Sequence, residues 1–554
     1  MKSKHSLKWL LVLVLAMTMI LAACAGGSDS SEKDTSKEPD KETDKDTEEV
    51  DEEEEEDATE ADGDGGGDLV IAVLSDASSL DPAGSNDVPS SVVQANIYET
   101  LVNRDDENNI IEGLAESWEP IDDTTYEFKL RQDVKFHDGE PFTADAVKAN
   151  LDRIRDPEVA SPRFFLFEMI TDVAVVDDHT VRITTEYPFA PLLAHLSHSG
   201  GAMVSPKSIE ADYAAITGEV KAGSVITEEP VGTGYFKFDS WTPGSEIKLV
   251  KNDEYWGDKV HVDSVTFKVI PESATRNADL ERGFVHIADP VQPVEVEGIN
   301  NSEHSAVNQK ASSSLSYIGF NTEKKPFDDP KVRKAISMMV NKEEIIEGVY
   351  DGFGIPAKGP LAPGIFGFND DAKPTEYNVE EAKKLLAEAG LADGFKTKLW
   401  TNDNPQRMDT AIILQDSLKQ LNIDVEIEVM EFGAYLEKTA EGEHDMFILG
   451  WSNPTGDADY GMYALFHSSQ KGNPGNRSFY ENPEVDKLLE QGRRESNPDE
   501  RLNLYNKIQE YLIEDAPMVY IHHQEYLTGV SKEITGFSID TSGIYQLQEV
   551  KFVK

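Results

Sequence analysis

The segment from residue 25 to residue 68 decides where this chain can fold. It holds no aromatic residue, and positions 28–68 carry 21 acids against 4 bases, a net charge of −17, with residues 51–57 acidic without a break. Such a stretch cannot bury enough apolar area to offset its ordering entropy, and its charges repel one another. It is predicted to be an extended, solvated tether, so the folded body begins near Leu69. The acids lack the regular spacing of a calcium-binding loop.

The tether follows an address. Lys2, Lys4 and Lys8 precede an apolar run over 9–23 broken only by Thr18. At about 15 residues that run is too short for a comfortable membrane span and reads as a signal peptide over 1–23. It ends in Leu21-Ala22-Ala23-Cys24, small residues that suit a signal peptidase groove and resemble the bacterial lipobox, in which the cysteine is diacylated. Cys24 is the only cysteine, so the chain forms no internal disulfide, no CxxC redox pair and no thiolate zinc site. Lipidation of Cys24 is the expectation, with 24–68 as lipidated cysteine plus tether; two or three acyl chains hold a protein firmly to a bilayer.

The body, 69–554, is too long for one core and predicts two or three lobes. It too is acidic, at net −40. Nucleic acid is excluded as a partner, since phosphate contacts need basic patches, and so is a polybasic grip on anionic lipid. The acidity fits solubility in a salty or alkaline exterior, where ionic strength screens self-repulsion.

The residue pattern is mixed α/β. Residues 70–74 predict an opening strand, and 91–101 a helix. Tyr126, Phe128 and Leu130 alternate with charges as in a half-buried strand, and Asp138-Gly139 is a turn before a helix capped by Thr143. Asp329-Pro330 starts a helix, and Asn341 and Asn378 cap two more, each followed by Glu three residues on. Residues 446–449 form a continuous apolar strand, as in the buried centre of an open sheet, and 518–521 another. This βα alternation predicts an open sheet covered by helices.

Several runs resemble one family. Glu112-Gly113-Leu114-Ala115 with Trp118, the strand 126–131, Lys135-Phe136-His137-Asp138-Gly139 and Pro141-Phe142-Thr143-Ala144-Asp145-Ala146-Val147 are similar to the signature region of the family 5 extracytoplasmic solute-binding proteins. So are the glycine-containing run 231–238, Asn252 with Tyr255-Trp256-Gly257, and Phe320-Asn321 with Phe327, Asp329-Pro330 and 332–336. The resemblance covers everything after the tether. It implies a two-lobed periplasmic-binding-protein-like α/β fold (type II, cluster C), with lobe I over 69–315 including an extra subdomain, lobe II over 316–517, and 518–554 returning to lobe I. Hinge crossings are expected near 317–320 and 518–521. It further implies a monomeric, cofactor-free binding subunit outside the cell membrane, working with an ABC permease and ATPase and capturing a short peptide.

Catalytic motifs find little support. His137-Asp138 is more economically a turn than an acid/base pair, and Arg131 reads as a structural pairing residue. The glycines of 231–238 are followed by no Lys-Ser/Thr, so they make no phosphate loop. His522-His523 lacks a third ligand nearby and reads as a surface or hinge pair, leaving no metal site. For the ligand, the family's lobe II acid after a Gly-Trp step holds a peptide amine. Here Gly450-Trp451 is followed by both Asp457 and Asp459, either of which fits that role or a solvated loop. The segment 451–465 looks most like the glutathione-binding members. Arg407, at a helix start, is the candidate for a ligand carboxylate or an ordinary surface arginine. Trp400, Trp451 and Tyr460 are candidate cleft walls or core. Beside the peptide importer, a peptide-sensing receptor lipoprotein, a hydrolase, and a binder of a nickel complex or oligosaccharide stay open.

Overall fold

The structure is a computed structural model that describes residues 66–105, 107–473 and 475–553. The expected signal peptide, Cys24 and the tether up to residue 65 lie outside the described residues.

Two sheets dominate. The first has seven strands in the order Ser305–Ala311, Glu525–Ser531, Ile287–Asp289, Asp68–Val73, Ser264–Val269, Glu246–Lys251 and Phe236–Thr242. Asp68–Val73 runs parallel to both its neighbours, as a strand buried on both faces does. Its Leu69, Ile71 and Ala72 are wholly buried. The second sheet has six strands in the order Ile355–Pro356, Met518–His523, Leu315–Phe320, Met446–Trp451, Lys396–Asn402 and Asp424–Met430. Leu315–Phe320 lies near its middle with every residue buried. At Gly319 a Cβ would sit 2.1 Å from the Phe447 ring, so the cross-strand phenyl takes the space any side chain would need. A third, four-stranded antiparallel sheet, Ala115–Pro120, Thr125–Leu130, Thr180–Thr185 and Ile170–Asp177, packs on the helix Ala144–Arg155.

Three of the four caps read from sequence form as expected; Thr143 stands at the N-cap of Ala144–Arg155, but its side chain makes no capping hydrogen bond. Asp329, Asn341 and Asn378 accept hydrogen bonds from the backbone N–H groups of Lys331, Glu344 and Glu381, leaving fewer unpaired donors at each helix start.

The chain passes between the two large sheets at 312–314 and again at Gln524, whereas the sequence reading put the crossings at 317–320 and 518–521. Both of those runs lie inside the second sheet, Met518–His523 included. The physical reason is burial. A continuous apolar run is stable only where strand partners satisfy its backbone on both sides. The true crossings are polar: Ser312 Oγ donates to the Gln524 carbonyl at 2.5 Å, and Ser313 N–H to the Thr541 carbonyl at 2.6 Å.

Candidate functional site

A cavity of about 700 Å³ opens where the two sheets present the carboxyl ends of their strands. Val73, Val269 and Asp289 line it from the first sheet, and Asn402, Leu449 and Trp451 from the second. This is where open α/β sheets hold ligands, and the volume falls in the usual range of about 300–1,000 Å³ for small-molecule sites.

Of the six ligand residues read from sequence, the cavity brings together Arg407, Trp451 and Tyr460. Arg407 sits in the first turn of the helix Pro405–Leu418, whose N-cap Asn404 accepts its N–H at 3.0 Å. Its Nη1 donates to Asn402 Oδ1 at 2.8 Å, which orients the fork while Nε and Nη2 stay without a hydrogen bond. Trp451 and Tyr460 pack ring to ring at 5.3 Å. The Tyr460 hydroxyl donates across the cleft to Asn86 Oδ1 at 3.2 Å, and burial pushes its pKa up to about 12.

The other three lie elsewhere. Trp400 is in the core of the second lobe, 6.1 Å from the His444 ring. Lys398, Trp400 and Asn402 share one face of their strand, which is exposed at Lys398 and covered from Trp400 onward. Asp457 meets Arg501 in a bidentate pair, at 2.6 and 2.7 Å, and caps the helix Ala458–Phe466. Asp459 is fully buried. Its carboxylate lies 3.3 Å from Arg493 Nε and 3.2 Å from His195 Nε2, and the Tyr505 hydroxyl donates to it at 3.5 Å. Burial raises the Asp459 pKa, but the charges of Arg493 and its other partners outweigh that and hold it at about 2. Neither carboxylate lines the cavity. The reason is chemical: a carboxylate withdrawn from water needs a counter-charge, and arginines of the following helices supply it.

Arg493 continues the network into the other lobe. Its Nη1 donates to Glu168 at 2.6 Å and its Nη2 to the Phe165 carbonyl at 3.0 Å, and the guanidinium stacks 3.7 Å over Tyr463.

Sequence reasoning missed several cavity residues: Arg104, Arg477, Tyr98, Tyr526 and Asp540. Arg104 and Arg477 have their pKa values lowered by burial. With Arg407 they put three arginines among the lining residues, inside a body of net −40. Asp540-Thr541-Ser542-Gly543 did carry a signal, since an Asp two residues before Ser marks an Asx turn. That pattern announces a rigid loop and says nothing of where the loop lies.

The motifs set aside as structural are held inside the fold. His137 Nε2 donates to the Gly234 carbonyl at 2.9 Å while Nδ1 accepts from Gly232 N–H at 3.3 Å, so the imidazole staples the glycine run. Arg131 donates to the Gly113 carbonyl at 2.7 Å and lies over Trp256. His522 and His523 are buried at the end of their strand, beside the second crossing rather than at the surface.

A profile described as bacterial extracellular solute-binding proteins, family 5 Middle, matches residues 109–473. The glutathione-binding protein GsiB of Pectobacterium atrosepticum is 33% identical, over 87% of this chain and 93% of its own. Among solved structures, the periplasmic binding protein DppA of Helicobacter pylori in complex with the peptide STSA is 33% identical, with a TM-score of 0.82 over 88% of this chain and 99% of that one. The oligopeptide-binding protein AppA of Bacillus subtilis, in complex with a nonapeptide, is 27% identical with a TM-score of 0.81 over 88% and 99%. With its two-lobed α/β architecture and its cavity between the sheets, the chain belongs to family 5 of the bacterial extracellular solute-binding proteins.

Proposed function

We propose that this protein is the extracytoplasmic binding subunit of an ABC importer and captures a short peptide between its lobes for delivery to a permease. The observation that carries the reading is the cavity itself. It joins both lobes, aromatic walls at Trp451 and Tyr460, and arginines positioned to meet a carboxylate. Relatives named for glutathione binding and structures solved with peptides support the same class of ligand. It is a binding protein and not an enzyme. Arg407 is the proposed partner of a ligand carboxylate, with its unbonded Nη2 and Nε as the fork. The four-stranded block over 115–185 is the proposed extra subdomain of lobe I.

The protein is further proposed to be held to the outer face of the cell membrane through acylated Cys24, as a monomer. The Leu21-Ala22-Ala23-Cys24 sequence motivates this. Mass analysis of the mature N-terminus is expected to show a lipidated cysteine; an unmodified cysteine or another cleavage site refutes it.

Calorimetry of the purified protein against glutathione, di- to pentapeptides, a nickel–histidine complex and an oligosaccharide tests the ligand class. The tightest member is expected to be a peptide with a free carboxylate. A tightest member lacking peptide character overturns the reading.

A further inference from the structure

With Asp457 and Asp459 both held by arginines, the cavity must offer another acid if it takes a ligand amine. Six carboxylates line it: Asp76, Asp87, Glu99, Asp289, Glu525 and Asp540. In the first four, both oxygens are already engaged. Asp76 accepts from Trp241 and Gly244, and Asp87 from Ser90 and Ser78. Glu99 holds Tyr255 and Trp256, and Asp289 holds Thr528 and Tyr545. Glu525 leaves one oxygen open, while the other accepts from Gln309 on the neighbouring strand.

Asp540 is different. Its Oδ1 accepts three hydrogen bonds, from Ser542 N–H and Ser542 Oγ at 2.8 Å and from Ile544 N–H at 2.9 Å. These fix the carboxylate on a turn whose Ser542 carbonyl accepts from Ser452 Oγ of the opposite lobe at 2.8 Å. Among the described residues none donates to Oδ2. The acceptor is therefore rigid, oriented and open, and it sits beside the crossings, since Thr541 accepts from Ser313.

Arg104 is the charged neighbour. Its Nη1 donates to Asn108 Oδ1, and Nη2 and Nε are unbonded. A Cβ at Gly456 would come within 2.7 Å of Nη1, and Gly456 has φ of +68°, so glycine there both turns the second-lobe loop and makes room for the guanidinium. Asp540 and Arg104 line the same cavity, and one second-lobe loop reaches both: Ser452 bonds the Asp540 turn, and Gly456, four residues on, makes room for Arg104.

Opposite charges facing one cavity select against simple ions. A bare ammonium drawn to Asp540 meets Arg104, and a bare carboxylate drawn to Arg104 meets Asp540. A group with both charges on one carbon satisfies both. Resting on the peptide reading above, we infer that Asp540 and Arg104 together recognise a free α-amino-acid head, as carried by a γ-glutamyl peptide. The N-terminus of an ordinary α-linked peptide has its α-carboxyl tied up in the next amide and lacks the second half of this match.

Calorimetry with four probes tests this: glutathione, its α-linked isomer Glu-Cys-Gly, glutaryl-Cys-Gly lacking the amine, and free glutamate. The native protein is expected to bind glutathione roughly tenfold or more tighter than either tripeptide analogue. Asp540→Asn should weaken glutathione by roughly tenfold to a hundredfold and leave glutaryl-Cys-Gly nearly unchanged. Arg104→Gln should erase the preference for γ- over α-linkage. The native-protein comparison needs no variant, and thermal melts check that both variants fold. Equal affinity for the two isomers overturns the inference while leaving the peptide reading intact. Unchanged glutathione binding in a folded Asp540→Asn protein does the same. Tighter binding of glutamate than of any tripeptide, or of no probe at all, removes the peptide reading and the inference with it.

Discussion

Asp459→Asn separates a structural carboxylate from a ligand-binding one. Asparagine keeps the shape and an acceptor oxygen but removes the charge that faces Arg493, itself fully buried. The variant then leaves Arg493 with Glu168 as its remaining carboxylate. Two routes give the magnitude. The Asp459 pKa, which burial raises but Arg493 pulls down further, rests at about 2. Against an ordinary value of about 3.9, that is roughly 2.6 kcal/mol in favour of the charged form. Breaking a buried ion pair from one side costs about 3–5 kcal/mol. A loss of about 3 kcal/mol is therefore expected at neutral pH. Because the native pKa is depressed, the contribution is complete above about pH 4 and disappears as pH falls through about 2, so native and variant curves should converge in acid. Urea unfolding followed by tryptophan fluorescence reads it, with Trp451 packed on Tyr460 as a local probe. In a cycle with Arg493→Met, the double variant should lose less than the sum of the singles. Peptide affinity of the folded Asp459→Asn protein should stay within roughly threefold of native. A variant of native stability that has lost peptide binding refutes the structural role and returns the carboxylate to the ligand.

Three further outcomes follow from the geometry. Arg407→Gln should weaken a peptide with a free C-terminal carboxylate by roughly tenfold to a hundredfold in calorimetry, and hardly change its C-terminal amide. His523 is kept neutral by burial and by the charge of Lys342, against the pull of its hydrogen bond to the Ser314 carbonyl, so its pKa drops to about 4. Its stabilising contribution is full above about pH 6.5 and is lost as pH falls through 4, so a denaturation series on His523→Gln should be flatter than native across that window by about 3 kcal/mol. Small-angle scattering should show a smaller radius with saturating peptide, through movement at 312–314 and Gln524; an unchanged radius at saturation contradicts a closing cleft.

What the chain disclosed from its pattern, and what it withheld, divide by the range of the interaction. Asp329, Asn341 and Asn378 were readable because a cap and its N–H lie two or three residues apart. Residues 446–449 were readable as a central strand because four consecutive apolar side chains need cover on both faces. The crossings were misplaced for the same local reason. Apolar continuity at 317–320 and 518–521 marks burial, and burial fits a sheet interior better than a hinge, whose backbone must find partners such as Ser312 and Thr541 outside any ladder. Asp457 and Asp459 show the limit most clearly. A loop of acids after a central strand looks the same whether its carboxylates meet a ligand or the protein's own cations. The arginines that meet them stand 44 and 34 residues further on, on helices of their own. Asp540 is the converse. Its turn is local and legible, but the cavity it faces is assembled from both ends of the body, from Arg104 in the early part and from the loop at 540–543. In a fold whose chain crosses between lobes and returns, the ligand site is the part of the molecule with the least local sequence logic. That is why its residues have to be found by asking which polar atoms the fold has left unpaired.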